Sequence, residues 1–142
     1  MGRRSVETTL AELSALARTP ERPDLVPKLV DALGSKSNLV AAKAASVAER
    51  LGRRELLSNL VAMFDRFLSD PSSADKGCVA KTAAAKALYE LGDPSGESVF
   101  LAGIHHVQKE KAYGPPVDTA AELRGLCGLG LLRIGYAEAV KR

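Results

Sequence analysis

Few residues in this chain could do chemistry: the histidine pair His105-His106 with Glu110, the cysteines Cys78 and Cys127, and a set of spaced cations. A helix expected over about 97–109 would set His106 and Glu110 one turn apart on one face, as two ligands of a metal ion. Adjacent histidines point roughly 100 degrees apart on a helix, so His105 and His106 do not clasp one ion together. A polar helix surface is the preferred reading, and no metal or cofactor is assigned. Cys78 falls near the third residue of a helix expected over about 76–91, where the N-terminal dipole and neighbouring Lys76 and Lys81 favour a thiolate. No histidine lies nearby in sequence to act as its base, and helix contacts could bury it as easily as expose it. Cys127 sits in an apolar column and reads as packing. No coherent acid, base, nucleophile and metal set emerges, so the chain is not expected to be an enzyme.

The cations fall into two groups. Lys43, Arg50, Lys86 and Arg133 lie between apolar columns of three helices and should face a shared groove, as a loose basic stripe. Glu49, Glu90 and Glu122 dilute it, and no aromatic residues interleave for base stacking. Nucleic acid is therefore disfavoured as a partner, although a nucleic-acid or other anionic-ligand-binding role stays open. Lys81 and Arg124, in contrast, share one position of an internal repeat.

That repeat positions everything else. The stretch 81–92, KTAAAKALYELG, echoes 43–52, KAASVAERLG, and more loosely the segment ending LCGLGLLRIG, so that Gly52, Gly92 and Gly135 fall 40 and 43 residues apart. Such periods mark stacked helix pairs, none of which buries its apolar face alone. Aligned on the glycines, the columns Leu51/Leu91/Ile134, Ala48/Leu88/Leu131, Ala44/Ala84/Cys127 and Val40/Ala80/Leu123 form a buried stripe. The small column Ala45/Ala85/Gly128 permits close backbone approach. Forty-six per cent hydrophobic residues with only 4% aromatic and no Trp means an Ala-, Leu- and Val-rich core, which favours helices.

Helix signals fill the remainder. Ser5 caps a helix over about 6–18, which Pro20 and Pro23 end; Asp24 caps the next, and Gly34 closes it. Helices follow over about 38–51 and 53–69, and Asp75 caps the helix of the opening stretch. Asp118 or Thr119 starts a last helix ending near Ile134. The expected domain is single, 1–142, with helix pairs at about 24–52, 53–92 and 95–135.

In order, the second helices carry Ala80, Lys81, Ala84, Ala85, Leu91, Gly92 and then Leu123, Arg124, Cys127, Gly128, Ile134, Gly135. This pattern resembles HEAT repeats, and Asp70-Pro71 resembles the turn between the two helices of one repeat. The first copy departs with Ala41 at the basic position, and the third replaces the alanines. The resemblance covers about 24–135, and over 77–124 the chain is similar to uncharacterised bacterial HEAT-repeat proteins. It implies an all-α, right-handed α-solenoid of about three helix pairs with an N-terminal helix, and it carries no activity. It also implies that Lys81 and Arg124 pair with acidic turn residues of neighbouring repeats. Iron-binding HEAT-repeat hydroxylases use His-Glu dipeptides, which this chain lacks. The function expected is a protein-interaction or scaffold module, with accessory work in cofactor attachment as a further alternative.

Two places invite a partner. The last helix adds Leu126, Leu129 and Leu132 to its core stripe, so apolar residues run nearly around it. Tyr136 to Arg142 are too few for a polar capping repeat, so either a second subunit or other partner covers this end, or the chain is a shortened form of a longer array. Tyr113-Gly114-Pro115-Pro116 interrupts the short-turn pattern. Either it presents Tyr113, with Asp118, to a partner, or it merely spans a wider gap.

A net charge of +3 and a pI near 9.0 are mildly basic, with Arg3, Arg4, Lys141 and Arg142 contributing at the ends. Two cysteines are too few for a disulfide framework. Ser5, Glu7, Thr8 and Thr9 follow the N-terminal arginines where a signal peptide would be apolar, and no run approaches a membrane span. A cytoplasmic protein with no membrane association is expected.

Overall fold

The computed structural model describes residues 5–70 and 72–135; Arg3, Arg4, Pro71 and Tyr136 to Arg142, named above, lie outside them. The described chain is mostly helical: α1 (Val6–Arg18), α2 (Leu25–Leu33), α3 (Asn38–Leu51), α4 (Leu57–Ser69), α5 (Val79–Leu91), α6 (Glu97–Gly103) and α7 (Ala121–Arg133). A hairpin of β1 (Lys109–Ala112) and β2 (Gly114–Asp118) separates the last two.

Local chemistry sets most boundaries. Ser5 and Ser37 accept from Thr8 N and Val40 N and cap α1 and α3. Asp24 instead gives its carboxylate to Arg22 at 2.7 Å and makes no cap bond. Gly52 and Gly92 close α3 and α5 at φ +64 and +67, where glycine alone carries no steric cost.

α5 packs between α3 and α7; α1 and α2 lie against α3, α4 against α5, and α6 against α7. The seam through α3, α5 and α7 is made of small residues. Ala44, Ala45, Ala84, Ala85 and Cys127 have no exposed surface, and Val40, Ala80 and Leu123 are buried beside them. Bulk comes from the other side, where Leu60, Met63, Phe64 and Phe67 of α4 and Phe100 of α6 fill the core. Leu51, Leu91, Leu131 and Ile134, expected in the buried stripe, are only partly covered.

Three expectations are corrected. The helix expected over 97–109 stops at Gly103. A Cβ there would collide with Cys127 Sγ, so the glycine serves a close approach of α6 to α7. Beyond it the chain becomes the β1–β2 hairpin, turning at Gly114 with φ +84, rather than a helix and an irregular loop. The helix expected from 76 begins at Val79, because Asp75 to Cys78 take extended and left-handed backbone angles.

Candidate functional site

The outward surface of α3, α5 and α7 carries the cations expected to line a groove. Equivalent positions in the three helices are Lys43, Ala83 and Leu126; Ser46, Lys86 and Leu129; Glu49, Tyr89 and Leu132; and Arg50, Glu90 and Arg133. The face thus grades from polar and charged on α3 to apolar on α7. Lys43 is half-buried, and Arg50, Lys86 and Arg133 are exposed. They do not form one free stripe. Lys86 Nζ lies 3.9 Å from Glu49 across the α3–α5 seam, and the Arg133 guanidinium sits 5.3 Å over the Tyr89 ring across the α5–α7 seam. Burial raises the Glu49 carboxyl, a shift that Lys86 opposes and Glu90 reinforces. On α7, Leu129 and Leu132 are 52% and 62% exposed.

Behind this face lies a polar joint. Asp75 and Lys81 are both buried and paired at 3.2 Å. Asp75 is fully engaged: Oδ1 accepts from Ala80 N at 2.8 Å and Asn38 Nδ2 at 3.0 Å, and Oδ2 accepts from Lys81 N at 3.0 Å. The carboxylate therefore caps α5 as expected of it, but from four residues ahead of the helix, and Asn38 ties it to α3. Lys81's partner belongs to the turn before its own helix rather than to a neighbouring repeat.

The hairpin locks onto this joint. Buried Gln108 donates to Asp75 O and to Glu110 Oε2, both at 2.7 Å; the same Glu110 oxygen accepts from Gly77 N at 2.7 Å and Thr119 Oγ1 at 2.6 Å. These donors, Thr119 foremost, hold the Glu110 carboxyl below its ordinary value. Asp118 accepts from Gln108 N and Ala120 N and pairs with Arg124 at 2.6 Å, and these contacts, led by Arg124, push its carboxyl far down. Asp118 therefore orders the entry to α7 with its own carboxylate. Tyr113, at the hairpin tip, is fully exposed.

The two histidines come out differently from the helical expectation. Neither lies on α6: His105 is exposed, and His106 Nε2 meets Gln108 Oε1 at 3.1 Å while Glu110 turns to Gly77. Among the described residues no group of three His, Cys, Asp or Glu could hold a metal ion. Cys78 is buried, with left-handed φ +58, so burial raises its thiol where the helix dipole was expected to lower it. Burial likewise pushes Cys127 up to about 12.

Sequence reasoning missed Gln108, Asn38 and Thr119 as members of the joint. Asn38 and Thr119 reach carboxylates 37 and 9 positions away, and Gln108 joins its near neighbour Glu110 to Asp75, 33 positions back, so spacing held no sign of the joint. One signal was present: Asp75–Lys81 and Asp118–Arg124 repeat the same six-residue separation of acid and base. No helix among the described residues is long and apolar enough to cross a membrane. Comparison with protein-family models, curated proteins and solved structures finds no match to this chain.

Proposed function

We propose that the chain is a short HEAT-like α-solenoid working as a non-catalytic protein-interaction module, with the outward face of α3, α5 and α7 as its binding surface. The carrying observation is the gradient on that face. Equivalent positions run from Lys43 to Leu126 and from Ser46 to Leu129, while the residues beneath them stay small and buried. A charged rim beside exposed leucines suits a protein partner, since interface cores are apolar and their rims polar. Repetition at 40 and 43 residues and the left-handed glycines Gly52, Gly92 and Gly135 support the repeat reading. A nucleic-acid role for this face gains little, because Glu49 engages Lys86 and Tyr89 engages Arg133.

Light scattering across a concentration series, with co-purification from the native cell, tests the proposal. Self-association or a stoichiometric partner is expected, and both should disappear in Leu129→Asp/Leu132→Asp with the helical circular dichroism signal retained. A wild-type chain that stays monomeric and recovers no partner would count against it.

A further inference from the structure

A second surface lies on the hairpin side. Ser73, Lys76, Lys109, Glu110 and Lys111 line an open cavity of about 420 Å³ between the turn before α5 and strand β1. Its electrostatics are unbalanced. Glu110 supplies the single carboxylate, and its Oε2 is already held by Gly77 N, Gln108 Nε2 and Thr119 Oγ1. None of the three lysines has an ion-pair partner among the described residues. Three ammonium groups around one committed carboxylate leave an excess of two positive charges at the cavity wall. Like charges that line one cavity repel, and an anion between them offsets the repulsion.

The scaffold holds the cluster in place. Glu110 fastens β1 to the Gly77 turn, which brings Lys109 and Lys111 to the same cavity as Lys76. Lys111 lies where the β1–β2 register shifts, between Glu110 and Ala112, opposite the extra residue of β2. Two residues on, Tyr113 stands fully exposed at the tip. The outward face of the helices lacks this combination of unpaired lysines with a free ring.

We infer that the cavity lined by Ser73, Lys76, Lys109 and Lys111 binds a phosphoryl oxyanion, with the lysines as counter-charges and the Ser73 hydroxyl as a neutral donor. The group can arrive as free phosphate or on a single-stranded nucleic-acid backbone, where Tyr113 would offer a stacking face to the adjoining base. This inference stands apart from the proposed function, since it concerns other residues on other elements.

The test uses the full chain with two probes, inorganic pyrophosphate and a fluorescent fifteen-residue oligothymidylate, in low salt. Binding is expected. Lys76→Gln/Lys109→Gln/Lys111→Gln should weaken it at least about tenfold with an unchanged melting curve, and log affinity for the oligonucleotide should fall with log salt at a slope of about −2, near 0.7 per ammonium group. Tyr113→Ala should weaken the oligonucleotide by about 5- to 150-fold through lost stacking and leave pyrophosphate unchanged. That split identifies a nucleic-acid source, and an oligonucleotide that binds no tighter than pyrophosphate and is unmoved by Tyr113→Ala identifies free phosphate. Failure of both probes to bind, or binding by the folded triple-glutamine variant within twofold of wild type, overturns the assignment.

Discussion

Lys81 and Lys86 stand five residues apart on α5, and their surroundings assign them different work. The Lys81 side chain is 1% exposed, and its carboxylate partner holds three further hydrogen bonds; the Lys86 side chain is 54% exposed and meets Glu49 at 3.9 Å. A buried pair must be fully satisfied or it costs more than it returns, whereas an exposed pair is screened by water and worth little. Lys81 is therefore committed to structure, and Lys86 can be given up to a partner. The same division holds for the regions around them: a saturated joint where α3, α5 and the hairpin meet, and a weakly tied outer face.

The largest effect should come from breaking the joint. Asp75→Ala strands a buried ammonium and frees the first turn of α5, so a loss of about 3–5 kcal/mol is expected in chemical denaturation. The double variant Asp75→Leu/Lys81→Met should recover much of it, because neither charge is then stranded. If Asp75→Ala costs no more than an exposed pair, the division collapses.

Two glycines of α7 extend the contrast. At Gly130 a Cβ would stand 2.6 Å from the Phe100 ring, so Gly130→Ala should destabilise by about 1–3 kcal/mol. Gly125 has nothing within 4 Å and faces solvent, so Gly125→Ala should stabilise by up to about 1 kcal/mol. Thermal melts of the pair check the sign reversal.

On the outer face, Lys86→Ala should change stability by less than about 1 kcal/mol. Acid should find the hairpin. Glu110 and Asp118 have folded-state values below their unfolded ones, so their contribution is complete above the unfolded carboxylate range near pH 4 and is lost progressively as pH falls from that range through the lower folded-state values. The melting temperature should therefore drop on acidification from pH 5, and Asp118→Asn should flatten that dependence.

How much of this was legible in sequence follows from the range of the forces involved. Ser5, Ser37, Gly52 and Gly92 act on their own helix ends, so α1 and α3 fall at their expected limits. The alanine columns were readable because helical periodicity alone puts Ala44 and Ala84 on one face. Gly103 was not, since its close approach depends on Cys127, 24 residues later on another helix. A helix expected to run through to about 109 gave no sign of strand β1, so the lysine-lined cavity stayed out of sight. Among the candidate residues, Lys86 and Tyr113 are exposed, whereas the carboxylate of Asp118 is taken up by Arg124 and two backbone amides.

The most direct measurement is photo-crosslinking in the native cell from a reactive residue placed singly at Lys86, Leu129 or Leu101. The first two lie on the outward face, and Leu101 is an exposed residue of α6. Adducts of defined mass from positions 86 and 129, with none from 101, are the predicted result. Equal yields from all three positions, or none from 86 and 129, would contradict an interaction surface built on α3, α5 and α7.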